Sequence, residues 1–172
     1  MKKTAKRVAA LGVLLAAACI VFLIESLVPP LLPMAPYVKI GLANVFVLLV
    51  IVYFGAGQAF LFVVAKNLLT ALIAWSGFAF MLNLAGSLCA YFVMAGLYAA
   101  VFPRVSLVSV SICGAIVSNI ARVSVVVLLM ETLSLYLQLP FVCVFSVAAG
   151  IIVGVLTILC VKHLPERLTN YK

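Results

Sequence analysis

The chain has 172 residues, of which 69% are hydrophobic and 8% are charged, and its net charge is +8. An average soluble domain has about 25% charged residues, so this composition leaves too few polar side chains to cover a soluble core. It is also too hydrophobic for an intrinsically disordered chain. Because a spanning helix needs about 20 apolar residues, the length predicts about six spans. The predicted fold is an all-α integral membrane protein, a bundle of six transmembrane helices in a single membrane domain.

Proline, glycine and charged residues divide the chain into six apolar segments. The predicted spans, in chain order, cover residues 8–28, 40–54, 58–74, 80–102, 107–130 and 141–161. The first segment follows a basic stretch and stays apolar over Ile20–Ile24, beyond Cys19. We therefore predict an uncleaved span there rather than a signal peptide.

The connections between the segments contain residues that end helices. The first connection holds Pro29, Pro30, Pro33 and Pro36, which predicts a stiff, non-helical segment. The later connections are predicted at Gly55–Gly57, Trp75–Gly77, Pro103–Arg104 and Glu131–Gln138.

Basic residues are distributed unevenly between the two sides of the predicted bundle. An even number of spans puts both termini on one side, together with most of the 11 lysines and arginines: Lys2, Lys3, Lys6, Arg7, Arg104, Lys162, Arg167 and Lys172. Lys39 falls at the opposite interface. The positive-inside rule therefore predicts that both termini are cytoplasmic in the cell membrane. Contact with anionic lipid headgroups accounts for the net charge without a nucleic-acid partner.

The composition argues against an enzyme. The acidic residues are Glu25, Glu131 and Glu166, and the absence of aspartate excludes aspartate-rich magnesium–diphosphate sites. The one histidine, His163, lies in a basic tail, so no His-based metal site or Ser-His triad is expected. No phosphate-binding G-x-x-x-x-G-K-[ST] loop is present, so ATP-driven work would need another subunit. The five cysteines stand singly in apolar runs and are predicted to be packing residues, and no metal or cofactor is expected.

Two charges lie near the middle of predicted spans: Lys66 in the third and Arg122 in the fifth. A charge at that depth costs about 2.5–3.5 kcal/mol on insertion scales, so each is a functional candidate. One interpretation is an internal ion pair with Glu25 or Glu131. However, Lys39, Lys66 and Arg122 outnumber these two glutamates by one. The remaining positive charge favours the alternative, an anionic ligand.

Polar residues accompany the two cations. Asn119 lies three residues before Arg122, and Asn83 and Ser87 are four apart, so each pair shares a helix face. A single asparagine is more often an interhelical contact, but together these residues predict a polar cavity open to the outside. Glu25 and Lys39 flank the proline connection, which could cover that cavity as a lid. The predicted binding residues are Glu25, Lys39, Asn44, Lys66, Asn83, Asn119 and Arg122.

Small residues form a stripe along the first span at alternating spacings of four and three: Ala5, Ala9, Gly12, Ala16 and Cys19. Such a face allows another helix to approach closely in lipid. The other helix belongs either to the same bundle or to a separate membrane partner. Because the stripe begins among basic residues at the cytoplasmic end, we predict that Ala5, Ala9, Gly12 and Ala16 dock a partner.

The sequence resembles the Gx transporter family, whose members are often labelled heptaprenyl diphosphate synthase component I. The resemblance covers about residues 8–162 and is carried by Glu25–Leu27 with the proline run, Lys39–Asn44, Asn83–Ser87 and Gly114–Asn119. The K-[IL]-G-L-A-N segment is its specific part. The family tends to have a histidine before the span-five asparagine and a glutamine three residues after it. Ser118 and Arg122 occupy those places here, which points to a different ligand contact or a different ligand.

The resemblance implies a substrate-binding S component of an energy-coupling factor importer. Such a subunit binds a vitamin-like or anionic nutrient from outside and docks on a transmembrane coupling subunit with two cytoplasmic ATPases. Two alternatives stay open: a non-catalytic membrane subunit of prenyl diphosphate or quinone biosynthesis, and a self-sufficient carrier or structural membrane protein. The label of a synthase fits poorly, because prenyl diphosphate synthesis needs aspartates to hold magnesium.

Overall fold

The computed structural model describes residues 2–29, 35–74 and 76–163, with side chains described from residue 6 onward and not at residue 74. These residues form six α-helices: α1 (Lys2–Leu27), α2 (Asn44–Phe54), α3 (Ala56–Ala74), α4 (Gly77–Val101), α5 (Leu107–Met130) and α6 (Leu139–His163). A short 3-10 helix, Leu133–Gln138, lies between α5 and α6. The described part of the chain contains no β-strand, as the composition predicts for an all-α protein.

Five of the helices are long and apolar enough to cross a membrane, and α2 is shorter. Each of the six predicted segments contains one helix, with bounds that differ by a few residues. The first helix begins six residues before its predicted start, and α2 begins four residues after its own, because residues 40–43 are not helical. With 11 residues, α2 is about 16 Å long, roughly half the thickness of the hydrocarbon core.

The short helix α2 occupies the centre of the fold. Nine of its 11 residues are buried, and Val47, Leu48 and Val50 are completely inaccessible. It packs against α1, α3, α4 and α6. Because protein surrounds α2, its length does not have to match the bilayer.

The helices α5 and α6 make the most extensive contact in the fold, and glycines allow it. A Cβ atom on Gly150 would lie 2.5 Å from the Cα atom of Ile112, and one on Gly154 would lie 2.7 Å from that of Val108. These distances are too short for any side chain. Gly150 and Gly154 are four residues apart, which is the spacing of a close helix-packing face in lipid.

The bundle has two distinct ends. At one end, the hydroxyl of Tyr37 donates a 2.6 Å hydrogen bond to Gln138 Oε1, so the α1–α2 and α5–α6 connections meet there. At the other end, Arg7 of α1 and Phe54 of α2 line one cavity together with Phe102. We call these the Lys39 end and the Arg7 end. The charge distribution predicts that the Lys39 end faces outward.

Candidate binding site at the Lys39 end

The segment Ala35–Ala43 is fastened to α1 by a carboxylate. Oε1 of Glu25 accepts a 2.6 Å hydrogen bond from the backbone N–H of Gly41. Gly41 has a backbone φ of +77°, a conformation that residues with a Cβ rarely adopt. An added Cβ there would also lie 3.0 Å from the side-chain nitrogen of Asn44. The Gly41 turn therefore sets where α2 begins and buries Asn44 at its first position.

Lys39 lies in this segment and is held at both its side chain and its backbone. The ammonium donates to Ser26 Oγ at 3.2 Å and lies 4.5 Å from the centre of the Phe22 ring. The backbone carbonyl of Lys39 accepts from Asn119 Nδ2 at 3.2 Å, and its N–H lies 3.5 Å from Asn119 Oδ1. Burial lowers the pKa of the Lys39 ammonium, the charge of Arg122 lowers it further, and the carboxylate of Glu25 opposes both.

Asn119 connects three parts of the fold. Its Oδ1 accepts a 3.1 Å hydrogen bond from Nη1 of Arg122, and its Nδ2 donates to Ser146 Oγ at 2.9 Å in addition to the Lys39 carbonyl. The amide therefore joins α5, α6 and the Lys39 segment. Ser146 was not among the predicted residues, because a single serine in an apolar helix gives no signal in the sequence.

Arg122 is 5% exposed and packs against a glycine of α4. A Cβ on Gly86 would lie 2.8 Å from Nε of Arg122, so the guanidinium needs glycine at that position. Nε itself is buried and has no hydrogen-bond partner among the described residues. The hydroxyl of Ser118, one turn earlier in α5, is buried without a partner in the same way. A buried donor left unpaired costs about 1–3 kcal/mol, so a water molecule or ligand atom that accepts from Nε would stabilise this arrangement.

Lys66 is 3% exposed and donates to Ser87 Oγ of α4 at 3.2 Å. Ser87 in turn donates to Oδ1 of Asn67 at 3.3 Å, and Asn67 donates to the carbonyl of Val63 at 2.9 Å. The contacts of the Lys66 ammonium are thus to neutral groups. Lys66 is also close enough to Arg122 and Glu25 to interact electrostatically with both.

Within residues 2–29, 35–74 and 76–163, no carboxylate lies within 4.0 Å of Lys39, Lys66 or Arg122. Glu25 is in electrostatic range of all three cations but is hydrogen-bonded to Gly41. Glu131 is exposed just beyond α5, at φ 51°, nine residues from Arg122. Nine residues of helix are about 13 Å. Glu131 therefore does not balance the buried cations, contrary to the charge count from the sequence.

Two cavities flank Lys39. One, of about 290 Å³, is lined by Pro36, Tyr37, Lys39, Phe78, Ala79, Leu82, Asn83 and Met130. The other, of about 230 Å³, lies on the α1 side and includes Glu25 and Ser26 in its lining. Asn83 lies one turn before Gly86, which packs against Arg122, and Ser87, which accepts from Lys66. Of the predicted residues, Glu25, Lys39 and Asn83 line these two cavities. Asn119 and Arg122 are linked to the Lys39 segment by hydrogen bonds, Lys66 is buried beside Ser87, and Asn44 lies beside Gly41.

A larger cavity of about 650 Å³ lies at the Arg7 end, away from these residues. Of the charged side chains described, only Arg7 lines it. Because Asn119 and Arg122 are linked to the Lys39 segment by hydrogen bonds, we assign the candidate site to the Lys39 end.

The small residues of α1 are exposed within the described structure. Ala9, Gly12 and Ala16 face outward, and no atom lies within 4 Å of a Cβ built on Gly12. The side chain of Ala5 falls outside the described side chains. Cys19, the last member of the stripe, is buried. The exposed part of the stripe is therefore not covered by another helix of this chain in the described residues.

The helical architecture and the buried polar cluster define a multi-pass membrane protein with a candidate binding site at one end. The model of the family heptaprenyl diphosphate synthase component I matches residues 14–159, and the chain belongs to that family. This match confirms the family resemblance found in the sequence. Comparison with curated proteins gives no match.

Proposed function

We propose that the chain is the substrate-binding membrane subunit of an importer of the energy-coupling factor type, which takes up a small anionic or vitamin-like nutrient. The observation that carries the proposal is the pair of buried cations, Lys66 and Arg122, without a carboxylate within 4.0 Å among the described residues. Buried ions without partners are strongly unfavourable. A bound anion would supply the missing partner.

The arrangement around the cations supports binding rather than catalysis. Amides and hydroxyls surround them, with Asn119 and Ser87 in direct contact. Arginine offers a planar fork for a carboxylate or phosphate, and lysine a point charge. Asn83 and Asn44 would orient the ligand, and Lys39 would close over it with the connection to α1. The chain therefore acts as a binding subunit, and its partners, a transmembrane coupling subunit and ATPases, supply the energy.

Arg122→Gln tests this function. Native mass spectrometry of protein purified in mild detergent identifies the retained small molecule, whose affinity is then measured by titration. Loss of a buried charge-assisted hydrogen bond should weaken binding by about 2 kcal/mol or more, about thirtyfold. Arg104→Gln, an exposed arginine at the Arg7 end, is the matched control and should bind like the wild type.

A different result would favour the internal ion pair. In that case Arg122→Gln would bind normally but unfold readily, and a second change, Glu25→Gln, would restore its stability. Thermal unfolding of the single and double variants distinguishes the two interpretations.

The family description favours a second candidate, a non-catalytic membrane subunit associated with prenyl diphosphate or quinone biosynthesis. Co-purification separates the two. Coupling and ATPase subunits bound to the chain would support the importer, whereas a soluble prenyltransferase would support the second function.

A further inference from the structure

We propose that the ligand has one compact, doubly charged head of the phosphate monoester type and an apolar body of about one ring. This inference rests on the proposed function and specifies the substrate class of the same site. It is carried by the charge balance at the Lys39 end, by the convergence of Lys66 and Arg122 on α4, and by the lining of the adjacent cavity.

The charge balance sets the number of charges on the head. Lys39, Lys66 and Arg122 bring three positive charges, and Glu25 is the carboxylate within their electrostatic range. Glu131 is exposed beyond α5 and takes no part. The surplus is therefore two positive charges rather than one. A dianion balances it, whereas a monocarboxylate leaves one buried charge unbalanced.

The positions of the two buried cations favour a compact head over two separated carboxylates. Lys66 donates to Ser87 Oγ, and Arg122 packs against Gly86, so both reach neighbouring residues of α4 from different helices. Both charges therefore lie close to one point on α4. A single tetrahedral phosphate can meet a lysine and an arginine at the same time, because its oxygens point in different directions.

The cavity beside Lys39 fits the apolar body. It measures about 290 Å³, and besides Lys39 and Asn83 its lining is apolar or aromatic, with Tyr37 in the α1–α2 connection and Phe78 in the first turn of α4. An apolar cavity of about 150 Å³ holds a benzene molecule, so one ring fits here with room to spare. Asn83 lies one turn, about 6 Å, from Ser87. Lys66 and Arg122 are buried behind this cavity rather than in its lining, so a head attached to a ring beside Asn83 would have to reach one turn further along α4, to the residues that the two cations contact.

A charge series on the wild-type chain tests the head. Isothermal titration in lipid nanodiscs at pH 7.5 compares phenyl phosphate, a dianion, with benzoate and neutral benzamide. We expect phenyl phosphate to bind at least tenfold more tightly than benzoate, and benzamide to show no measurable binding. Equal affinities for phenyl phosphate and benzoate would overturn the doubly charged head. Tighter binding of succinate than of phenyl phosphate would overturn the compact head.

A second series tests the body. Inorganic phosphate should bind at least tenfold more weakly than phenyl phosphate, and Phe78→Ala should weaken phenyl phosphate while leaving inorganic phosphate unchanged. Displacement of phenyl phosphate by farnesyl diphosphate at lower concentration would overturn the one-ring body and favour the function in prenyl metabolism. Lys66→Gln should reduce phenyl phosphate binding at least tenfold, with Arg104→Gln as the control.

These outcomes are distinguishable from failure of the proposed function. Binding of phenyl phosphate by a chain that co-purifies with no transport subunits would overturn the importer and keep the dianion site. Conversely, a chain that docks on such subunits but retains a neutral or singly charged molecule would keep the importer and overturn the dianion.

Discussion

At the scale of single residues, each charged side chain of the candidate site makes its direct contacts with neutral groups rather than with an opposite charge. Lys39, Lys66 and Arg122 each contact an amide or hydroxyl directly, and Glu25 is directed to a backbone N–H. The carboxylate therefore influences the cations through space rather than by direct pairing. This arrangement leaves the three cations without a carboxylate within 4.0 Å among the described residues, as the proposed anion site requires.

The pKa of Lys39 gives a direct measure of this electrostatic arrangement. Burial and Arg122 lower it, and Glu25 raises it. Replacing Glu25 with Gln removes the attraction that favours the protonated form, so the pKa of Lys39 should fall further. Arg122→Gln removes a repulsion, so the pKa should rise toward its ordinary value. NMR titration of the full chain carrying ¹³C-methylated lysines measures both shifts.

The comparison needs an assignment and a control. Lys39→Arg identifies the resonance by its disappearance, and Arg104→Gln should leave the pKa unchanged, because Arg104 lies at the opposite end. In Glu25→Gln the side-chain amide oxygen can still accept from Gly41, so the turn is preserved. A Lys39 pKa that is the same in all variants would contradict the electrostatic coupling.

The sequence singled out the charged members of the candidate site, whose role in binding stays a prediction, and it did not indicate the neutral residues Ser146 and Gly86 that contact them or their partners. Lys66 and Arg122 stand out because a charge inside an apolar segment is unfavourable in lipid. Ser146 and Gly86 carry no such signal as individual residues, since serine and glycine are common in membrane helices. Glu131 was misplaced in the charge balance because sequence proximity to a span end does not show whether a side chain turns inward. In the structure Glu131 follows α5 in a left-handed backbone conformation, and its side chain is exposed.

At the scale of the helices, hydropathy was sufficient to locate each segment, because a helix in lipid requires a long run of apolar residues. It could not give the true start of α2, which depends on the positive φ of Gly41 and on the hydrogen bond from Gly41 to Glu25. Nor could it show that α2 lies at the centre. That position follows from contacts between distant helices, which a window along the sequence does not contain.

The α5–α6 contact provides a prediction at this scale. Gly150→Ala should destabilise the bundle, because its Cβ would lie 2.5 Å from the backbone of Ile112 and the helices would have to separate. Overpacking of this kind typically costs about 1–3 kcal/mol. Thermal unfolding in detergent measures the loss.

Gly96→Ala is the matched control for Gly150→Ala. Gly96 lies in α4, and no atom lies within 4 Å of a Cβ at that position. This variant should be as stable as the wild type or slightly more stable, since alanine favours helix. Equal unfolding temperatures for Gly150→Ala and Gly96→Ala would show that the close contact of α5 and α6 is not needed.

At the scale of the whole molecule, the proposed function assigns a different task to each end of the bundle. The Lys39 end holds the buried cations and a segment fastened across them, whereas the Arg7 end lies near the exposed small residues of α1. If ligand binding and partner docking are separated in this way, we expect that each can be altered without the other. The charge distribution predicts that the docking end is cytoplasmic, where ATPase subunits would be found.

Docking through α1 gives the prediction at this scale. Ala9→Leu with Gly12→Leu should abolish co-purification with a coupling subunit, because bulky side chains keep another helix from approaching closely. The fold should tolerate both changes, since the two positions are exposed and a Cβ on Gly12 meets no atom within 4 Å. Binding of the retained small molecule, measured by native mass spectrometry, should be unchanged because the site lies at the other end. Ala148→Leu, at an exposed alanine of α6, controls for added bulk on the lipid-facing surface. If the double variant still co-purifies with its partners as the wild type does, then α1 is not the docking helix. If it loses the small molecule as well, the two ends are not independent.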